Sequence, residues 1–133
     1  MTPYEYVGWT LNNTSAVTAI TSTRINHGLR PRNTDTPCIN YFEIGGDRSW
    51  GMERQPFSIN CRADTPAGER DLARLVVTLF DGTHGTGTYG TNNGFTVARA
   101  YLSNDNGLIP EPDDETYNAP VDIEIHYAVS TVS

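Results

Sequence analysis

Apolar and polar residues alternate cleanly between Gln55 and Ala63. Phe57, Ile59, Cys61 and Ala63 fall on one side of an extended chain, and Ser58, Asn60 and Arg62 fall on the other. A period of two is that of a strand with one covered face. The pattern recurs as Val121, Ile123, Ile125, Tyr127 and Val129 against Asp122, Glu124 and His126, which predicts a strand over 121–129. Phe95 to Leu102 reads as its antiparallel neighbour. The run from Pro37 to Ile44, Cys-Ile-Asn-Tyr-Phe-Glu-Ile, is rich in strand formers and starts after a proline, where a strand can spare its amide. It is expected to form a hairpin with 55–63 through a loop near Trp50.

Helical periodicity marks three other segments. Thr2-Pro3-Tyr4-Glu5 has the form of a capping box, and a helix from Pro3 to Asn12 follows with Tyr4, Val7 and Leu11 on one face. Gly8 weakens that helix, which must then depend on docking. Asn13-Thr14-Ser15 offers a second cap, with Val17 and Ile20 carrying a helix to about Thr23. Asp64-Thr65-Pro66 opens the strongest one, in which Leu72, Leu75, Val76 and Leu79 recur at helical spacing to Phe80. Asp81-Gly82 closes it with a residue suited to a left-handed cap.

The order is therefore helix, helix, strand, strand, helix, strand, strand. It predicts a single α+β domain over residues 1–133, a mainly antiparallel four-stranded sheet with helices packed on one face. Two loops exceed what such a domain needs, the Gly/Thr/Asn tract 82–94 and the segment 103–120 with its acidic run Glu111-Pro112-Asp113-Asp114-Glu115.

Charge narrows the range of ligands. The formal net charge is -7, and all nine basic residues are arginines. No basic stripe exists to neutralise phosphates, which argues against sequence-specific nucleic-acid binding and against anionic membranes. An all-arginine set suits bidentate pairing with carboxylates at protein interfaces, although a lysine-poor genome would give the same composition. No stretch approaches the roughly 20 apolar residues of a membrane span.

Catalytic chemistry is not indicated. The Gly/Thr tract lacks the lysine and context of a P-loop, and the acidic run lacks the Asp-x-Asp-x-Asp-Gly order of a calcium loop. His27, His84 and His126 stand far apart with no cysteine at ligand spacing, so neither metal nor cofactor is expected. Cys61 alternates with Phe57 and Ile59 and reads, like Cys38, as a reduced buried thiol. Asp122 and Glu124 share a strand face, as glycosidase carboxylate pairs can. Alternating acids on the wet face of an edge strand are the commoner arrangement.

Interface chemistry is better represented. Arg48, Trp50, Met52 and Arg54 cluster at the expected hairpin tip, combining residue types enriched at hot spots. Trp50 could equally fold back over its own sheet. Glu111, Asp113, Asp114 and Glu115 form the complementary candidate, carboxylates that could meet arginines of a partner chain.

Taken whole, the chain resembles the tail terminator, or tail-completion, proteins of long-tailed bacteriophages. The similar features are a helix leading into Arg24-Ile25, a loop through Gly28 and Pro31, and the strand Pro37-Cys38-Ile39-Asn40-Tyr41. They continue with strand 55–63 running directly into the helix from Pro66, and with Tyr117 followed by the strand Val121 to Tyr127. The likeness spans about Ser15 to Val129. It implies a virion protein assembled in the host cytoplasm, a homo-oligomeric ring of typically six subunits that caps the tail tube. Such a ring stops tube polymerisation, docks a head-completion or connector protein, and lets DNA pass without holding it. A related head-tail connector or minor tail subunit fits the same features, and a small-ligand binding module is the competing class.

Overall fold

A threonine hydroxyl followed by a proline fixes the start of the longest helix. In the computed structural model Thr65 Oγ1 accepts a hydrogen bond from the Gly68 N–H at 3.0 Å, and α3 runs Pro66–Phe80. The structure describes residues 3–28, 36–45, 47–49, 52–81, 83–86, 95–105, 109–111 and 116–129. Helix α1 spans Pro3–Asn12 and α2 spans Ser15–Thr21. The second ends two residues before the expected Thr23, because Ser22 takes a positive φ of 55° while its N–H bonds back to Thr18 O at 2.8 Å.

Among the described residues there are eight strands: β1 (Ile25–His27), β2 (Cys38–Glu43), β3 (Asp47–Ser49), β4 (Met52–Ala63), β5 (Thr83–Thr86), β6 (Phe95–Asp105), β7 (Ile109–Glu111) and β8 (Thr116–Val129). They form one sheet in the order β1-β2-β4-β8-β6-β5, with β3 alongside β4 and β7 alongside β8. All pairings are antiparallel except β1 with β2. The mixed α+β class and the antiparallel pairs 38–43 with 57–62 and 95–105 with 121–129 agree with the sequence pattern.

The count of four strands does not. Short strands β1, β3, β5 and β7 carry no alternation of their own and exist through pairing. β1 is held by Ile39 N–H to Arg24 O (2.9 Å) and Gly28 N–H to Tyr41 O (2.8 Å). Parts of the expected loops 82–94 and 103–120 are strand for the same reason. β8 starts at Thr116 because Asn118, Ala119 and Pro120, poor strand formers alone, lie opposite Arg62, Cys61 and Asn60 of β4.

Register places one apolar face under all three helices. Phe57 lies opposite Ile123 and Ile59 opposite Val121, with Ile39, Cys61 and Ile125 on the same side. These side chains are fully buried against Tyr6, Val7 and Leu11 of α1, Val17 of α2, and Leu72, Val76 and Phe80 of α3. Tyr6 and not Tyr4 enters the core, meeting Phe80 edge-on with ring centroids 6.4 Å apart, whereas Tyr4 stays exposed. The α3 stripe is likewise rotated, with Leu75 and Leu79 at its margin and Glu69 buried. The left-handed cap expected at its end falls on Gly82, outside the described residues. Asp81 is extended (φ -72°, ψ 120°), and its Oδ1 accepts the Leu102 N–H at 2.8 Å, tying the helix terminus to β6.

Candidate assembly surface

Strand alternation turns the even-numbered residues of β8 to the face opposite the helices, and the antiparallel register decides what they meet. Arg54 of β4 sits diagonally from Glu124, and Tyr101 of β6 directly opposite it. Arg54 Nη1 reaches Glu124 Oε1 at 3.0 Å, and the Tyr101 hydroxyl donates to Oε2. His126 Nε2 lies 3.4 Å from both that oxygen and the Tyr101 hydroxyl, with the two rings 5.5 Å apart. Three strands thus direct three side chains at one carboxylate.

Partial burial would raise the pKa of Glu124, but the Tyr101 hydroxyl, His126 and the Arg54 guanidinium together hold its carboxyl below the usual range. The Glu124 side chain is 14% exposed and that of Arg54 40%. The result is a patch of matched charge at the middle of the sheet. β8 is thereby a central strand flanked by β4 and β6, which corrects the reading of its acids as those of an edge strand.

Beside this patch the same face is more closed than alternation alone suggests. Asn40, Ser58, Asn60 and Asn118 are buried, although Ser58 and Asn60 are on the side expected to be wet. Asn118 Nδ2 donates to Asn60 Oδ1 at 3.1 Å and Asn40 Nδ2 to Gly28 O at 3.1 Å. The Oδ1 atoms of Asn40 and Asn118 have no partner among the described residues.

A second cluster joins α1 to the sheet edge. His27 stacks on Tyr4 with centroids 4.4 Å apart and planes 4° apart, tilts against Tyr41 at 5.2 Å, and hydrogen-bonds the Glu43 carboxylate. Burial, with Glu43 and Tyr4 adding to it, pushes the Tyr41 hydroxyl above its ordinary value. Phe42 and Ile44 at the end of β2 are exposed.

Of the residues singled out from sequence, the structure brings Arg54 into a defined contact, and that contact is with Glu124. Arg48 lies on β3 opposite Glu53, and Met52 opens β4 opposite Ser49. Glu111 lies on β7 opposite Thr116. Trp50, Asp113, Asp114 and Glu115 lie outside the described residues. Tyr101, Glu124 and His126 were not legible as a cluster, because the register shift in β6 between Val97 and Arg99 decides which β6 residue faces Glu124. The alternation of Asp122, Glu124 and His126 was the available signal.

Neither cysteine is in a disulfide, and both are fully buried. Burial, with Glu69 and Cys38 nearby, pushes the Cys61 thiol far up, which leaves it unreactive in the folded chain. Among the described residues no three His, Cys, Asp or Glu side chains are grouped to hold a metal ion. None of the described helices is long and apolar enough to cross a membrane.

The architecture defines the class: a mainly antiparallel sheet with three helices on one face and a polar, charge-matched opposite face. No protein-family model and no curated protein matches the sequence. Among solved structures, a chain in the virion of a native gene transfer agent particle has the same fold, with a TM-score of 0.66, 11% sequence identity, and coverage of 91% of this chain and 90% of that one.

Proposed function

We propose that the chain is a structural subunit of a phage-like virion, and within that class a tail terminator. It would form a ring, of about six copies by the resemblance of its sequence, on the head-proximal end of the tail tube. There it would stop tube growth and join the tube to a head-completion protein. The observation that carries this reading is the fold shared over nine-tenths of both chains with a chain of a gene transfer agent virion. The order of elements from Arg24 to Tyr127 independently resembles the terminator family. A ring subunit needs two different surfaces for head-to-tail contact. The 47–54 hairpin with Arg48, Trp50 and Met52 and the acidic segment with Glu111, Asp113, Asp114 and Glu115 are the candidates for one of them.

Another head-tail connector or minor tail subunit would share this fold and acidity, and differs in the partner it meets. Native mass spectrometry with electron microscopy, on the chain alone and with tube protein, tests the reading. A closed ring, alone or on tube ends, is expected. A chain that stays monomeric and also fails to bind tube protein overturns the assignment, and a monomer with saturable affinity for a small ligand would favour a binding module.

A further inference from the structure

The Arg54–Glu124–Tyr101–His126 patch is poorly suited to either of the two usual partners of an open sheet face. Stable protein interfaces deplete charge from their centres and place aromatic or aliphatic groups there. The part of this face that solvent reaches carries Arg54, Arg62, Asp122, Glu124 and His126, while Ser58, Asn60 and Asn118 beside it are buried. Nor is it arranged to grip phosphate. Arg54 reaches Glu124 at 3.0 Å, and Tyr101 and His126 approach the other oxygen of the same carboxylate. Within the patch, the groups that could hold a phosphate are turned onto the chain's own acid.

We propose that this patch, on the face opposite the helices, is turned toward the DNA duplex that passes through the assembled ring, with Glu124 keeping Arg54 off the phosphates. This rests on the ring reading given above. A bore must be wet, polar and weakly repulsive to a polyanion, which a chain of net charge -7 supplies overall. A guanidinium left unpaired would be repeated in every copy around the ring. Phosphate contacts multiply in their effect on affinity, so such a ring of arginines would act as a brake on the duplex. Pairing each arginine inside its own subunit removes the brake while leaving the surface hydrated.

The test uses rings of the full chain, assembled alone or on tube protein, with a fluorescent duplex of one sequence in linear and covalently closed circular form at about 50 mM salt. E124Q removes one carboxylate from the patch, and D71N removes one from the exposed outer side of α3. Wild-type and D71N rings are expected to retain neither DNA. E124Q rings should retain linear duplex at least about tenfold better than the closed circle, which has no end to thread, and lose it by about 200 mM salt, where phosphate contacts weaken. Equal retention of both forms by E124Q would place the patch outside the bore and overturn the inference. So would no gain by E124Q, or the same gain by D71N. E124Q preserves side-chain volume. Should its circular dichroism depart from wild type, E124A, which also removes the carboxylate that Arg54 meets, carries the same comparison. If wild-type chain forms no ring even with tube protein, the ring reading has failed before DNA is added.

Discussion

A Cβ built on Gly8 would stand 2.3 Å from the hydroxyl oxygen of Tyr41 and 3.2 Å from its ring carbon Cζ. The glycine that weakens α1 as an isolated helix is what lets the helix approach β2. Tyr41 is itself packed by His27 and is 7% exposed, so its ring has little room to retreat.

Gly8→Ala is therefore expected to destabilise the protein by about 1–3 kcal/mol, the overpacking cost exceeding a helix-propensity gain of about 1 kcal/mol. Adding Tyr41→Phe removes the nearest atom and should recover part of the loss. Urea midpoints of the two single variants and the double variant measure it. A stabilised Gly8→Ala variant would refute the close approach.

The two threonine caps should differ. Thr65 accepts the Gly68 N–H, whereas Thr14, at the start of α2, makes no side-chain cap and donates its hydroxyl to Thr10 O at 2.7 Å. Thr65→Ala should cost about 1 kcal/mol in thermal or urea unfolding. Thr14→Ala should cost clearly less, and equal costs would contradict the structure.

Glu124 makes stability depend on acid. Its carboxyl is held below the ordinary value of about 4.3, so its contribution is complete above that value and is lost as the pH falls through the lower folded value. Wild-type protein should lose stability more steeply below about pH 4 than Glu124→Gln. Tyr101→Phe, which deletes a charge-assisted hydrogen bond, should cost about 1–2 kcal/mol at neutral pH. Parallel acid curves for wild type and Glu124→Gln would show that the network does not hold the charge.

Cys38 and Cys61 should resist thiol reagents in the folded state, since both are fully buried and the Cys61 thiol is pushed up by burial. Labelling should follow the unfolding rate as denaturant rises. A fast native phase amounting to one thiol per chain would show that one of these positions opens without unfolding.

Local periodicity was enough for α1 and α3, whose boundaries, Pro3–Asn12 and Pro66–Phe80, are those the sequence predicts. Both begin with a proline, and in α3 the threonine before it caps the first turn. The apolar side of β4 was equally legible, because Phe57, Ile59, Cys61 and Ala63 alternate without interruption and all four are buried. The assembly candidates were legible as residue types alone, and Arg54 shows why. Its guanidinium could have faced the acidic run 111–115 of a partner chain, and the β4–β8 register directs it to Glu124.

The sequence by itself determined the α+β class, the main helices, the covered face of the central strands and the acidity that disfavours holding DNA. These follow from side-chain period and composition, which act over a few residues or over the whole chain. Tertiary structure decided the four short strands, the central position of β8 and the convergence of Arg54, Tyr101 and His126 on Glu124. Each depends on which strand lies beside which and in what register. A one-residue slip in that register turns every side chain to the other face, and a single strand's pattern does not name its neighbour.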